Sequence, residues 1–229
     1  MITENFKGAI INMFRIHKRY GAKYALKDIN LEIKRNEFVY ITGPSGAGKT
    51  TLLKLLYLKE QVSEGHILID GMNLARMNRK QITGLRRKIG IIFQDFKLIP
   101  TSTIFDNVSL VLRASGMNKS LINKKVKFLL RIVGLRDKNS AYPLSLSGGE
   151  QQRAAVARAV AANPAIIIAD EPTGSLDENS AALILKLLNE FNARGAAVIL
   201  ATHDKGIIKG GDKNRRRIHL ENGQITADQ

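Results

Sequence analysis

The sequence predicts a doubly wound α/β core, in which buried parallel strands alternate with helices, interrupted by a helical insertion. Three observations carry this. An apolar run, Phe38-Val39-Tyr40-Ile41, leads through a glycine-rich loop into the leucine-rich run Leu52-Leu53-Lys54-Leu55-Leu56, a strand–loop–helix order. Two further continuous apolar runs, Ala165–Ala169 and Ala197–Ala201, suit strands covered on both faces. Between them Leu183, Ile184, Leu187, Leu188 and Phe191 recur at helical spacing, and strands alternating with helices are the mark of an α/β core.

In chain order, residues 1–9 carry no pattern and are expected to be an extension. Ile10–Ile33 reads as short strands separated by the turn-like Tyr20-Gly21-Ala22-Lys23. Phe38–Thr42 is a strand and Thr50–Lys59 a buried helix. His66–Ile69 alternates and ends in Asp70-Gly71, a strand meeting a tight turn. Lys88–Phe93 is another strand, with Gln94 at its end. From Phe96 to Ala162 the pattern turns helical. One helix there places Leu121, Ile122, Val126, Leu129, Leu130 and Val133 on one face and stops at Gly134. The Ala-rich segment Glu150–Ala162 has the strongest helix propensity in the chain and ends at Asn163-Pro164.

Composition excludes several classes of function. The 229 residues hold no cysteine, so disulfides, thiolate chemistry and cysteine zinc sites are ruled out. No apolar run approaches the roughly 18 residues of a membrane-spanning helix, and Met1–Asn5 has no signal-peptide pattern; a soluble, cytoplasmic protein is expected. The formal net charge is +16. Basic residues cluster at Arg76–Lys88, Arg113–Arg131 and Arg215–Arg217. Attraction to an anionic membrane surface, attraction to nucleic acid and a merely solvated surface all fit that charge. Aromatic residues are few and not interleaved with the basic runs, which argues against a base-stacking platform.

Chemistry concentrates in three stretches. Gly43-Pro44-Ser45-Gly46-Ala47-Gly48-Lys49-Thr50 fills the G-x-x-x-x-G-K-[ST] pattern between a strand and a helix. In that setting backbone N–H groups curl around a polyphosphate at a helix N-terminus. Lys49 would reach the terminal phosphates and Thr50 a bound Mg²⁺. Asp170-Glu171 closes a buried apolar strand; Asp170 would hold Mg²⁺, and Glu171 would polarise the attacking water. In Leu146–Gln151, Ser147 and Glu150 fit a helix capping box. The intervening Gly148 and Gly149 weaken a first helical turn, and make sense if an anion such as a γ-phosphate approaches that backbone.

Taken together, these residues resemble the ABC-type ATPases over nearly the whole chain, from Ile10 to Ile225. Gly43–Thr50 matches the family's Walker A motif, Ile167–Glu171 its Walker B and Leu146–Gln151 its signature. Gln94 falls at the Q-loop glutamine, Ser175-Leu176-Asp177 at the D-loop, His203 at the switch histidine and Tyr20 at the adenine-stacking aromatic. The resemblance implies a RecA-like parallel sheet core with an N-terminal antiparallel β subdomain and an α-helical subdomain, in one domain spanning residues 10–229. Residues 10–95 and 163–229 would form the core and residues 96–162 the helical part. It also implies ATP and Mg²⁺ as ligands. Tyr20, Gly43–Thr50, Thr51 and Asp177 would contact nucleotide; Thr50, Gln94 and Asp170 would contact the metal; Lys49, Gln94, Glu171 and His203 would act in hydrolysis. Ser147, Gly148 and Gly149 would reach the nucleotide held by a second copy, in an ATP-dependent head-to-tail dimer.

Within the family, Leu85–Gly90 and Phe93–Pro100 are most similar to the cell-division branch, the FtsE ATPases. The LolD lipoprotein-release and macrolide-export branches share the Leu-Ser-Gly-Gly-Glu variant. The resemblance implies an FtsX-like integral membrane partner, regulation of peptidoglycan hydrolysis, and a peripheral position on the cytoplasmic face of the membrane. Relatives that act on nucleic acid carry two cassettes or a long coiled coil, which this chain lacks, so nucleic acid is not expected as a partner.

Overall fold

The computed structural model describes residues 8–174, 176–204, 206 and 215–229. Most of the expected extension, Ser175 of the D-loop stretch, and residues 205 and 207–214 lie outside the described residues. The chain divides into two compact units, Met1–Arg86 with Ala197–Gln229, and Arg87–Ala196.

In the first unit, β1 (Ala9–Tyr20) and β2 (Lys23–Lys34) form one long antiparallel hairpin rather than several short strands. The register shifts along the pair, and Arg15 and Asp28 take positive φ of 45° and 49°. Each such irregularity resets the in–out alternation, so a continuous strand reads in the sequence as pieces. β4 (Glu64–Ile69) pairs with β1, and β5 (Met72–Asn73) folds back across the Asp70-Gly71 turn, giving an antiparallel sheet ordered β2-β1-β4-β5. β3 (Phe38–Thr42) runs parallel between β8 (Ala197–Ala201) and β9 (Arg216–Glu221). Every residue of β3 and β8 is buried, which is why both are continuous apolar runs.

Helix α1 (Lys49–Leu56) buries Leu52, Leu53, Leu55 and Leu56. It stops three residues short of the expected Lys59, because Leu58 turns to a positive φ of 59°. Helix α2 (Arg79–Arg87) is not predicted by periodicity, since Leu85 is its one buried residue. Asn78 and Gln81 do cap it reciprocally, at 3.0 and 2.9 Å. β10 (Gln224–Asp228) closes the chain antiparallel to β9.

Among its described residues the second unit holds the parallel pair β6 (Ile89–Ile92) and β7 (Ile166–Asp170), with four α-helices. Each begins at a polar cap: α3 (Ile104–Ala114) at Thr103, α4 (Lys119–Ile132) at Asn118, α5 (Gly148–Val160) at Ser147 and α6 (Glu178–Ala193) at Asp177. Helix α4 buries Ile122, Val126, Leu129 and Leu130, as its spacing predicts. Leu121, expected on the same face, is instead exposed, because its position falls opposite the buried stripe.

The terminal hairpin is tied to the first unit by Arg216. Its guanidinium donates to both Asp228 carboxylate oxygens at 2.7 Å, to Glu32 O at 2.7 Å and to Glu37 Oε1 at 3.1 Å. The Arg216 hydrogen bonds hold the Asp228 carboxyl below its ordinary value of 3.8, so above that pH the unfolded chain gains nothing by ionising it and the full stabilisation is present. As pH falls below 3.8 the unfolded chain takes up the proton first, and the contribution is lost through the lower folded value. Arg216→Gln is therefore expected to lower the unfolding free energy by about 1.5–3 kcal/mol at neutral pH. Urea denaturation should show the gap narrowing below pH 3.8; a constant gap would mean that Asp228 is not the titrating partner.

Candidate functional site

The predicted residues fall into two groups, one in each unit. In the first, β3 hands the chain to the loop Gly43–Lys49, which opens α1. Gly48 is the helix N-cap, with φ of 105°, and no side chain caps the first turn. A Cβ at this position would lie 2.7 Å from Ala25 O and 2.9 Å from Leu26 Cδ2, so only glycine allows the loop to rest against β2. The N–H groups of an uncapped first turn are anion donors. Lys49 Nζ folds back over the loop, donating to Gly43 O at 2.8 Å and Pro44 O at 3.0 Å, with the residue 7% exposed. Pro44, Ser45, Gly46 and Thr50 face solvent, Ala47 is buried and Thr51 half-buried. This solvent-facing, cation-bearing helix start fits a polyphosphate.

His203 stands at the same end of the parallel pair. Ile41 pairs with Ala201, and Thr202 N donates to Ile41 O at 3.0 Å, so the strand ends that launch the loop and the histidine are neighbours. His203 is exposed. Tyr20 sits at the tip of the β1–β2 hairpin, 47% exposed, with Lys18 Nζ 4.9 Å from its ring centroid.

One buttress of this group is absent from the sequence-based site. In the turn between β9 and β10, Gly223 N donates to Ala47 O at 3.1 Å, and Lys27 N donates to Gly223 O at 2.8 Å. The C-terminal hairpin thus holds both the phosphate loop and β2. Asn222-Gly223 is a hairpin-turn signature that could have located it.

In the second unit, β6 and β7 end side by side, with Ile92 opposite Ala169. Gln94 leaves one strand end; Asp170, half-buried, and Glu171, 8% exposed, leave the other. A Cβ built on Gly174 would lie 4.0 Å from Gln94 Nε2 and 3.9 Å from Glu171 Cβ, so the structure brings these two side chains to one spot. Glu171 has φ of 47°, a left-handed conformation that costs on the order of 1 kcal/mol for a residue of this size. No periodicity or spacing reveals it.

Two residues of α5 organise this corner, and neither is in the sequence-based site. Gln152, fully buried, donates through Nε2 to Pro172 O at 2.8 Å and Phe93 O at 3.5 Å. Its single amide thereby joins the exit of β7, just after Glu171, to the exit of β6, just before Gln94. Arg158 donates to Phe96 O at 2.8 Å and to Lys97 O, holding a turn in which both residues have positive φ. Their partners are remote in sequence, so local pattern cannot find them.

The capping box at the head of α5 is present. Ser147 Oγ accepts from Glu150 N at 3.2 Å, and Glu150 Oε2 accepts from Ser147 N at 2.9 Å. That backbone N–H holds the Glu150 carboxyl below the ordinary glutamate range. The two glycines differ in their reason. A Cβ on Gly149 would lie 2.6 Å from Ser180 Oγ of α6, whereas one on Gly148 would meet nothing nearer than Phe96 Cζ at 3.9 Å. Gly149 is accounted for within the chain; Gly148 and Ser147 are exposed at the helix start. Asp177 caps α6, accepting from Ser180 N at 2.9 Å, and the Ser180 hydrogen bonds hold its carboxyl below the ordinary range.

A phosphate loop, a strand-end carboxylate pair and a glycine-opened, serine-capped helix define a nucleotide hydrolase. Residues 26–174 match the ABC transporter family, and the chain belongs to it: this is an ABC-type ATPase that binds and hydrolyses ATP. It is 45% identical over 222 residues to the cell division ATP-binding protein FtsE of Bacillus subtilis, covering 96% of each chain. It is 44% identical over 187 residues to the methionine import ATP-binding protein MetN of Photobacterium profundum, covering 81% of this chain and 54% of that one. Among solved structures it resembles the dimeric post-hydrolysis state of the ATP-binding cassette MJ0796 bound to ADP and Pi, with a TM-score of 0.87 and 37% identity, covering 96% of this chain and 97% of that one. The expected α/β cassette with an antiparallel β subdomain is thereby borne out.

Replacing Gln152 with Leu is expected to leave the buried carbonyl of Pro172 and the part-buried carbonyl of Phe93 without this donor. The cost should be about 1–3 kcal/mol of stability, read by urea denaturation. Turnover should fall while nucleotide affinity, measured by calorimetry, stays unchanged. Unaltered stability would show that the amide does not join the two strand exits.

Proposed function

We propose that this chain is the ATPase subunit of an FtsE-like membrane complex, which dimerises head to tail on ATP and drives an FtsX-like integral membrane partner in the control of peptidoglycan hydrolysis. The observation that carries this reading is the identity to B. subtilis FtsE, which spans 96% of both chains. MetN matches at a similar identity, but this chain spans about half of its length. No helix among the described residues is long and apolar enough to cross a membrane, so a spanning partner would supply the attachment on the cytoplasmic face. A transporter ATPase of the LolD or macrolide-export kind is the second reading, because it would use the same ATP chemistry.

The roles follow the residues. Lys49 and the N–H groups from Gly46 to Thr51 bind the phosphates, and Tyr20 stacks on the base. Thr50, Asp170 and Gln94 offer the hydroxyl, carboxylate and amide oxygens that a hard cation such as Mg²⁺ takes; when bound, the ion neutralises charge on the phosphates. Glu171 polarises the attacking water, and His203 stabilises the γ-phosphate region. Ser147, with the Gly148 and Gly149 backbone, donates to the nucleotide of a second copy, and Asp177 of the D-loop stretch contacts nucleotide. In such a dimer each nucleotide takes its phosphate loop from one copy and its Ser147 helix from the other, which couples hydrolysis to association.

Glu171→Gln is expected to bind ATP, lose turnover by at least a hundredfold and accumulate as an ATP-dependent dimer in light scattering. Rapid hydrolysis by that variant would remove Glu171 as the base. Lys49→Ala should abolish ATP binding in calorimetry. The tagged Glu171→Gln chain is expected to co-purify with an FtsX-like membrane protein. Recovery of a solute permease instead would assign the chain to the second reading.

A further inference from the structure

The outer face of α4 takes no part in the site above. Its buried stripe runs through Ile122, Val126, Leu129 and Leu130. The side chains diametrically opposite are Leu121, Lys124, Phe128 and Arg131, flanked by Lys125 and Lys127. Leu121 is 56% and Phe128 46% exposed; seven residues apart, they stand two turns apart on one line, roughly 10 Å along the axis. The helix contains no acidic residue, and Lys124, Lys127 and Arg131 form no ion pair among the described residues. The Arg131 guanidinium lies 5.5 Å from the Phe128 ring centroid. Beside them is an open hollow of about 590 Å³, where Lys124, Lys127, Phe128, Arg131 and Arg136 meet a single acid, Asp137.

A solvated cationic face has no use for a leucine and a phenylalanine at its centre, and a duplex backbone would contact only its cations. An anionic bilayer uses both: headgroups meet the ammonium and guanidinium groups, while the apolar side chains enter the headgroup–acyl boundary. The lysine stems suit this, since their methylenes can lie along apolar surface with the charge outward. We propose that the outer face of α4 is a docking surface for anionic lipid, with Leu121 and Phe128 as the inserted residues and Lys124, Lys127 and Arg131 as the headgroup contacts. The inference rests on the membrane-associated reading above and gives the chain a second attachment, independent of its protein partner.

The test is flotation of the purified chain with vesicles of phosphatidylglycerol and phosphatidylcholine, against vesicles of phosphatidylcholine alone. The chain is expected to float with the first and not the second. Reversing Lys124, Lys127 and Arg131 to Glu should weaken binding by about a hundredfold or more, at about fivefold per charge removed. Leu121→Ser with Phe128→Ser should weaken it by about tenfold. All five positions are exposed, so both variants should keep the circular dichroism and ATP turnover of the parent. Parent-like flotation of the charge variant overturns the proposal. So does parent-like flotation of the Ser variant combined with equally tight duplex DNA binding, since that marks a general polyanion surface. Co-purification of the membrane partner is scored separately: if it persists while lipid binding is absent, this inference alone fails, and if lipid binding persists without the partner, the FtsE-like assignment alone fails.

Discussion

The phosphate loop depends on how closely its backbone lies against β2 at Gly48. The Ala25 carbonyl and Leu26 side chain fill the space that any side chain at 48 would need, and the left-handed N-cap there turns the chain into α1. Around this contact the first unit is built in layers. The hairpin turn at Gly223 hydrogen-bonds to Ala47 on one side and Lys27 on the other, and Arg216 anchors the same hairpin to Glu32 and Glu37. A loop that presents N–H groups to an anion cannot commit all of them to internal pairs, and the surrounding strands add rigidity to it.

The second unit has a different organiser. Helix α5 is the signature helix, yet its interior side chains govern the loops after β6 and β7. Gln152 links Phe93 and Pro172, and Arg158 holds the two left-handed residues beyond Gln94. A displacement at the head of α5 would therefore be felt at both strand exits, because one buried amide serves them both. A polar link from a buried amide can transmit strain in this way, because the amide itself has no water to turn to.

Much of this was legible in the sequence, and the remainder has physical reasons for being hidden. Buried stretches such as Phe38–Thr42, residues 166–169 and Ala197–Ala201 announce themselves as apolar runs. Gly43–Thr50 and Ser147–Glu150 do so by spacing, because their chemistry is local. The β1–β2 hairpin reads as fragments because its bulges break the alternation. Helix α2 escapes because one buried leucine makes no periodicity. The unusual φ of Glu171 is set by tertiary context, and the partners of Gln152 lie 20 and 59 residues away in sequence. The glycine pair of the signature was readable only as a pair; the structure separates Gly149, fitted against Ser180, from Gly148, which has room to spare.

The four long helices of the second unit are capped by Thr103, Asn118, Ser147 and Asp177, residues that serve nearly equally well for starting a helix. At the head of α5 they would not be interchangeable. Ser147 Oγ spends acceptor capacity on the Glu150 N–H, which leaves its hydroxyl proton to be directed outward. An aspartate there would end the helix just as well, but would present a full negative charge and no proton. In the proposed head-to-tail dimer, the neutral hydroxyl at this cap, where α6 uses a carboxylate, keeps one negative charge away from an incoming phosphate, even with the Glu150 carboxylate bonded to the cap backbone; the fold itself is indifferent to the choice.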